Sequence, residues 1–219
     1  MIQQNIQRIK KELGTTRLVA VSKFRTIDEL QRLYNTGQRV FAENRVQEIL
    51  KKKPELPNDV EWHLIGHLQT NKVKQIVNEV SLIHSVDSIK LLKELQKNCE
   101  KLDIDINILL QIHVAEEDSK YGFKPEELLQ QAKDGLLNSF SRIHIVGVMS
   151  MATLTNDKDQ VRNEFEKTVS IFNQLKELLE DSKSFTEISM GMSNDYLIAI
   201  QEGATMVRIG SKIFESAES

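Results

Sequence analysis

The sequence predicts an α/β protein folded as a (β/α)₈ barrel, the TIM barrel, preceded by one extra helix. Short apolar segments with strand character alternate with longer segments whose apolar residues recur three and four positions apart. Eight such units fit in the 219 residues, which is the low end for this barrel. A doubly wound sheet is the alternative, and eight units fit it less naturally. Since no linker or repeat divides the chain, we expect one domain over residues 1–219.

The predicted elements follow in order from the N-terminus. A helix over residues 6–13 comes first. The expected strands are 18–23, 39–43, 61–66, 82–86, 106–114, 143–149, 185–191 and 206–210. Thr26 and Glu29 form a capping box that opens the first helix after a strand, and Pro125 suits a first helical position.

Composition limits the partners and the compartment. Lys and Arg number 29 against 32 Asp and Glu, a formal net charge of −3, so no basic surface is available for nucleic acid or an anionic membrane. With one cysteine, an intrachain disulfide is impossible. No apolar run approaches the length of a membrane span, and the first residues are not a signal peptide. We therefore expect a cytoplasmic protein without nucleic-acid or membrane partners.

Lys23 is the lysine that ends a predicted strand. Chemistry in this fold takes place at the carboxyl ends of the strands, and alternation places Val19, Val21 and Lys23 on one face. If that face lines the barrel, the amine lies at the mouth of a pocket of low dielectric constant, where loss of water favours its neutral form. The neutral amine condenses with carbonyl groups. A lysine that simply reaches solvent is the alternative.

The loops after the last two predicted strands indicate a phosphate site. Segment 189–194 (SMGMSN) ends the seventh strand, and Gly210 and Ser211 follow the eighth. Glycine allows backbone N–H groups to approach an anion closely, and a helix starting near Ser193 or Asn194 would direct its positive end toward it. Barrels frequently bind phosphate at these two loops. A capping serine and a turn glycine also explain each piece without a ligand.

Arg208 occupies an inward position on the eighth predicted strand, because Val207 and Ile209 face the helices. A guanidinium group there needs a partner or a ligand. One interpretation is an ion pair with Glu187, which has inward parity on the neighbouring strand. The other is a fixed donor to a ring nitrogen or carbonyl of a ligand, and both interpretations can hold together.

Other polar residues give weaker signals. His63 and His67 are four positions apart, but no third ligand has matching spacing, and since zinc needs three or four ligands we expect no metal site. Asn44, just past the second strand, either binds a ligand or caps its helix. Four residues are expected in the core or at its rim: His84, His113, His144 and Cys99.

Five segments resemble one protein family. They are VSK (21–23), ENRVQE (43–48), WHLIGHLQTNK (62–72), ISMGMSND (188–195) and VRIGSKIF (207–214). An amine able to form an imine, a phosphate cradle and a fixed arginine together describe a pyridoxal phosphate (PLP) site, and the segments are similar to those of the pyridoxal phosphate homeostasis proteins. The resemblance covers about residue 1 to Phe214 and implies a single barrel similar to the N-terminal domain of alanine racemase.

Matched by motif position, the resemblance implies a role for each residue. Lys23 would hold PLP as an internal aldimine, Arg208 would face the pyridine nitrogen, and Asn44 would lie beside the ring. The phosphate would be received by Met192 through its backbone, Ser193, Gly210 and Ser211. A guanidinium group facing the ring nitrogen disfavours protonation of that nitrogen, so the ring is a poorer electron sink and carbanion chemistry is less supported.

Three positions depart from the family pattern. Ala42 stands where a glycine is usual, and His113 where an asparagine is common, just before segment 116–122 (EEDSKYG). We expect these two to alter the surroundings of the ring. Glu215 replaces the usual glycine after Phe214 and affects only the terminus.

Three functions fit the sequence. The first is a non-catalytic PLP-binding protein of intracellular vitamin B6 and amino-acid homeostasis, with PLP-dependent apo-enzymes as recipients. The alternative is a PLP-dependent amino-acid racemase. That reaction needs an acid/base group on each side of the substrate carbon, and among Tyr34, Tyr121 and Tyr196 only Tyr121 is a candidate for the second face. A Schiff-base aldolase, the third, leaves the longer motifs unexplained.

Length favours the first function. Alanine racemase carries an additional C-terminal β domain that contributes a tyrosine base and forms a dimer. Here about five residues follow Phe214, so we expect neither that domain nor that dimer. The sequence therefore predicts a monomer that holds its cofactor without using it.

Overall fold

Eight parallel strands close into a barrel in the part of the chain that the computed structural model describes, residues 1–115 and 121–214. Each strand pairs with the next in sequence, and β8 pairs with β1 to close the sheet. The strands are β1 (Arg17–Val21), β2 (Val40–Glu43), β3 (Glu61–Leu64), β4 (Leu82–Val86), β5 (Ile106–Gln111), β6 (Ile143–Met149), β7 (Glu187–Ser189) and β8 (Met206–Ile209). The predicted barrel is confirmed, and the doubly wound alternative is wrong.

Helices surround the sheet on its outer face. They are α1 (Ile2–Leu13), α2 (Ile27–Tyr34), α3 (Val46–Lys52), α4 (Val73–Ile76), α5 (Ile89–Leu102), α6 (Pro125–Lys133), α7 (Lys158–Leu178), α8 (Tyr196–Gln201) and α9 (Ser211–Phe214). The Thr26–Glu29 capping box and Pro125 at the first position of α6 are both as predicted. In the described ranges, no helix combines the length and the apolar character needed to cross a membrane.

Several strands end earlier than predicted, and the residues past their ends form the loops of the barrel mouth. β1 ends at Val21, two residues before Lys23. β8 ends at Ile209, so Gly210 belongs to the loop. Strand pairing stops there because the chain must turn toward the next helix, so the last one or two residues of these two predicted strands belong to the loop. α8 begins at Tyr196, so a helix start near Ser193 or Asn194 is wrong.

The buried residues form two separate groups. The larger group lies between the sheet and the helices and includes Phe41, Trp62 and Phe165. A small apolar group fills part of the barrel interior: Val19, Val40, Ala42, Leu82, Leu109, Met149 and Met206. Polar side chains occupy the rest of that interior, where His63, His84 and Arg208 are at most 4% exposed. The barrel axis therefore carries a polar network toward the mouth.

Candidate functional site

A cavity of about 330 Å³ opens at the carboxyl ends of the strands. All seven residues predicted from the sequence to bind the cofactor line it: Lys23, Asn44, Met192, Ser193, Arg208, Gly210 and Ser211. Lys23 and Asn44 come from the loops after β1 and β2, and the other five come from the loop after β7 and from β8 with its loop. The two groups lie next to each other because β8 pairs with β1.

Lys23 occupies a tight turn directly after β1. The Arg25 N–H donates to the Ser22 carbonyl oxygen at 3.1 Å, which closes the turn around Lys23 and Phe24. Phe24 has φ 64°, a left-handed conformation that is uncommon for a bulky residue. The Lys23 side chain is exposed at the cavity and makes no hydrogen bond or ion pair with the described residues. The amine is therefore free to react, but the protein alone does not desolvate it as expected.

Asn44 follows the last residue of β2 and faces solvent at the cavity. The helix that follows is capped at Arg45 without a side-chain hydrogen bond, so the expectation that Asn44 caps it is wrong. Its backbone packs against Gly66, where an added Cβ would lie 2.2 Å from the Asn44 carbonyl oxygen. Gly66 thus allows the loops after β2 and β3 to approach closely.

Arg208 is buried beneath the cavity and is held by uncharged acceptors. Its Nη1 donates to the carbonyl oxygen and to the hydroxyl of Ser189, both at 2.8 Å, and its Nη2 donates to the Ser150 carbonyl oxygen at 2.8 Å. Burial lowers the pKa of Arg208 to about 10, opposed by the charge of Asp195. The guanidinium group therefore stays charged at neutral pH.

One of the two interpretations of Arg208, an ion pair with Glu187, is wrong. The Glu187 carboxylate lies 3.4 Å from Arg17 Nη2 and accepts from the Thr205 hydroxyl at 2.7 Å. Glu187 is the first residue of β7 and Arg17 the first of β1, so this pair is at the amino end of the barrel. Shared inward parity does not bring side chains together when they lie at different heights along the barrel axis.

Two histidines continue the Arg208 network, a connection that sequence reasoning missed: His84, buried as expected, and His63, considered there only as a metal ligand. The Ser189 hydroxyl lies 3.0 Å from Nδ1 of His84, whose Nε2 lies 2.9 Å from Nδ1 of His63. Burial lowers the pKa of His63 to about 3 and the pKa of His84 well below its usual value. The pair is therefore neutral. Inward alternation along β3 and β4 was the signal that could have grouped them with Arg208.

Two glycines shape the side of the cavity that is formed by the loops after β7 and β8. Gly191 has φ 88°, and an added Cβ would lie 2.5 Å from the Ala199 Cβ. At Gly210 an added Cβ would lie 3.1 Å from the Val21 carbonyl oxygen. The Gly210 N–H donates weakly to the Ser193 hydroxyl at 3.4 Å. Gly191 therefore allows its loop to pack closely against α8, and Gly210 allows the loop after β8 to pack closely against the end of β1.

Asp195 changes the expected use of Met192. Its carboxylate accepts the Met192 N–H, so that donor, predicted to hold the phosphate, already has a partner. Burial raises the pKa of Asp195, while the Met192 N–H and the charge of Arg208 oppose that shift. The six-residue helix α8 begins just after Asp195, its N-cap residue. The carboxylate closes this loop, which the sequence pattern did not indicate.

The remaining candidates lie outside the cavity lining. His67 pairs with Asp87 at 2.9 Å and stacks on Tyr121. Cys99 is buried in α5, as expected, and burial raises the pKa of its thiol to about 11. No group of three or more His, Cys, Asp or Glu residues placed to hold a metal occurs in residues 1–115 and 121–214.

The departures from the family pattern have different outcomes. Ala42 is buried in the barrel interior, and His113 donates its N–H to the Phe123 carbonyl oxygen at 2.9 Å. Neither lines the cavity as described. Glu215 and segment 116–120 lie outside the described residues.

Known proteins match the chain over nearly its whole length. The family model for the N-terminal domain of alanine racemase covers residues 1–217. A pyridoxal phosphate homeostasis protein of Aquifex aeolicus is 37% identical over 214 residues, covering 97% of this chain and 92% of that relative. PipY of Synechococcus elongatus, solved with PLP bound, has a TM-score of 0.88 and 32% identity, covering 98% of this chain and 100% of PipY.

A more distant structure shows the same fold. An alanine racemase from Corynebacterium glutamicum has a TM-score of 0.77 at 14% identity, covering 98% of this chain and 60% of the racemase. The resemblance indicated by the sequence motifs is confirmed by these comparisons. With relatives 37% identical over nearly all of its residues and a barrel that matches throughout, the chain belongs to the pyridoxal phosphate homeostasis protein family, within the wider family of alanine racemase N-terminal domains.

Proposed function

We propose that this protein binds pyridoxal 5′-phosphate in the cavity and holds it covalently on Lys23 for intracellular vitamin B6 and amino-acid homeostasis. One observation carries the proposal: an exposed amine, unpaired among the described residues, and a buried guanidinium group line the same 330 Å³ cavity as two serines and Gly210. When bound, the cofactor supplies an aldehyde, with which a lysine amine forms a C=N bond and releases water. The relatives' name and the PLP-bound structure of PipY support the assignment.

The donors in the cavity fit the chemistry of the cofactor. Ser193 and Ser211 offer hydroxyl groups, and the backbone N–H of Gly210 lies next to them, donated to the Ser193 hydroxyl only at 3.4 Å. A phosphate dianion needs several such donors at close approach. The contact between Gly210 and the Val21 backbone leaves little room for a side chain at that position. Met192 lines the cavity but does not supply its backbone N–H, since that group already donates to Asp195.

Arg208 gives the site its electronic character. Its hydrogen-bond acceptors within the described structure are uncharged, so it is not paired with a carboxylate, although the charge of Asp195 acts on it without a hydrogen bond. A permanent cation facing the pyridine nitrogen disfavours protonation of that nitrogen and weakens the ring as an electron sink. Asn44, across the cavity, lies beside the ring in this arrangement. The site holds the cofactor but gives little support to carbanion chemistry.

We propose binding rather than catalysis, and the tyrosines support this choice. None of Tyr34, Tyr121 and Tyr196, all described, lines the cavity. The Tyr34 hydroxyl donates to Asp59, Tyr196 bonds Glu12, and Tyr121 stacks on His67. A racemase needs a second acid/base group opposite the lysine. The PLP-loaded protein should therefore show no racemisation of alanine or serine by chiral chromatography; turnover that disappears in Lys23→Ala would favour the enzyme instead.

The delivery role needs its own test. We propose that the protein is a cytoplasmic monomer, that residues 1–219 are one domain, and that PLP-dependent apo-enzymes are its recipients. The PLP-loaded protein should activate an apo-enzyme faster than its PLP is released into buffer containing a PLP trap. Activation at the rate of release would contradict direct delivery and leave a buffering role. Light scattering that gives twice the monomer mass would contradict the monomer.

A further inference from the structure

A buried ion pair lies directly beneath the turn that carries Lys23. Glu43 is the last residue of β2 and Lys52 the last of α3. The Lys52 Nζ is 2.6 Å from the Glu43 Oε1, and the two side chains are 5% and 1% exposed. The Ser22 hydroxyl donates to the same carboxylate oxygen at 2.6 Å. Three buried side chains, from the turn after β1, from β2 and from α3, therefore meet next to the site. Of these, Ser22 directly precedes Lys23 and Glu43 directly precedes Asn44.

Stability alone does not account for this pair. The second carboxylate oxygen of Glu43, Oε2, is buried and has no hydrogen-bond partner among the described residues. Burying charges costs hydration energy that is regained only when every polar atom is satisfied. Pairs of this kind can often be replaced by apolar residues without loss of stability. The position of the pair needs another explanation.

The pair is connected to the backbone of the Lys23 turn. The Lys52 ammonium donates to the Ser22 carbonyl oxygen at 3.0 Å. The same oxygen accepts the Arg25 N–H that closes the turn. Phe24, the residue in the left-handed conformation, is 87% exposed, so its own packing does not stabilise that conformation. Strained backbone persists only when its surroundings fix it, and the Lys52–Ser22 bond supplies that constraint.

We propose that Glu43, Lys52 and Ser22 form a positioning unit that fixes the Lys23 turn against β2, so that the amine of Lys23 and the side chain of Asn44 face the same cavity. None of the three lines the cavity as described, so they act through their neighbours. This inference rests on the proposed function only in assigning Lys23 as the binding residue. The geometry of the turn can be tested without the cofactor.

The test variant removes both charges together. Lys52→Met alone would leave the Glu43 carboxylate buried without a counter-ion and endanger folding. Glu43→Gln with Lys52→Met keeps the shapes and leaves no buried charge uncompensated. Glu48, whose carboxylate lies 3.3 Å from Lys52 Nζ, also loses its partner in this variant, but its side chain is 39% exposed and stays hydrated. The matched control is Glu79→Gln with Lys53→Met, since Lys53 Nζ and Glu79 Oε2 form a half-exposed pair at 3.0 Å. The control also removes one positive and one negative charge, at the lysine that follows Lys52 in the sequence.

The first measurement is amide hydrogen exchange of the cofactor-free protein. In the Glu43→Gln, Lys52→Met variant, the Arg25 amide should exchange about tenfold faster, with an unchanged or raised unfolding midpoint. The control variant should leave that amide unchanged. An Arg25 amide with the wild-type exchange rate in the test variant would overturn the inference. If the test variant does not fold, Ser22→Ala, which removes the Glu43 contact, replaces it in the same measurement.

The second measurement separates positioning from general structure by a double-mutant cycle. The Glu43 and Lys52 changes should weaken PLP binding about fivefold or more when Lys23 is present, and less than about twofold in the Lys23→Ala background. Equal losses in both backgrounds would mean a merely structural role and would overturn the inference. Absence of a covalent adduct in the wild type would refute the proposed function instead, and amide exchange would still decide the positioning role.

Discussion

The two sides of the cavity hold their cationic groups in opposite ways. On the β1 and β2 side, Lys23 is exposed on a turn, and the buried charges lie below it in the Glu43–Lys52 pair. On the β7 and β8 side, Arg208 is itself buried, and its acceptors are uncharged oxygens of Ser189 and Ser150. On the first side, the buried charges below Lys23 neutralise each other. On the second side, no carboxylate is hydrogen-bonded to Arg208.

This difference fits what each group would have to do in the proposed function. An amine that forms a covalent bond must reach an incoming aldehyde, so it needs to be exposed on a backbone turn that is itself held in place. A guanidinium group that sets the charge near a ring must be fixed and must not be cancelled by a carboxylate. A bond from Arg208 to Glu187 would have removed that effect, and the structure places Glu187 at the other end of the barrel.

The largest expected effect is on the lysine side. Lys23→Ala should abolish the absorbance band of the covalent PLP adduct, because within the cavity lining Lys23 is the residue with a primary amine. Residual PLP binding through the phosphate loops should remain, measured by equilibrium dialysis. Lys53→Ala, a lysine outside the cavity, serves as the control. A band that persists in Lys23→Ala would mean that the covalent bond does not form on the Lys23 side of the cavity.

The next effect concerns the neutral pair His63 and His84, which continues the hydrogen-bond network of Arg208. The pKa of His63 is lowered to about 3 and that of His84 is also lowered, so the unfolded chain binds more protons below pH 6.5. Stability should therefore be fully present above pH 6.5 and fall toward pH 3, by about 1.4 kcal/mol per pH unit for each histidine. Urea unfolding at pH 7.5 and pH 5 measures this slope.

One variant sharpens that measurement. His63→Asn should reduce the slope, because it removes one of the two buried imidazole groups that the folded protein keeps neutral. An unchanged slope in His63→Asn would mean that the pair is not a neutral network.

A third prediction compares two glycines with the same φ of 88°. Gly37 has open space where a Cβ would lie, so Gly37→Ala should cost about 1 kcal/mol from backbone strain. At Gly191 the Cβ would also lie 2.5 Å from the Ala199 Cβ, so Gly191→Ala should cost about 3 kcal/mol. Urea unfolding measures both. Equal costs would show that the phosphate loop is not packed as described.

The smallest expected effect is at the phosphate. Ser211→Ala should weaken PLP binding by about 1–3 kcal/mol through a lost hydrogen bond to a charged group, while the adduct band remains. Ser170→Ala, on the exposed face of α7, is the control for isothermal titration. Unchanged affinity in Ser211→Ala would count against its phosphate role.

The fold could be predicted because strand and helix periodicity alternate along the whole chain, and the site because functional residues of a barrel follow strand ends. Seven residues placed by motif and position line one cavity. Which side chains pair with each other across the barrel could not be predicted from the sequence pattern. Parity shows that Arg208 and Glu187 both point inward, but the height of each side chain depends on strand register. The Glu43–Lys52 pair likewise joins β2 to the end of α3.

The central claim is that Lys23 holds the cofactor. Reduction of the PLP-loaded protein with borohydride, followed by peptide mass mapping, tests it most directly. We predict a pyridoxyl group on the peptide that contains Lys23 and none on the peptide that contains the buried Lys52. A pyridoxyl group on another lysine, or no pyridoxyl peptide at all, would contradict the account.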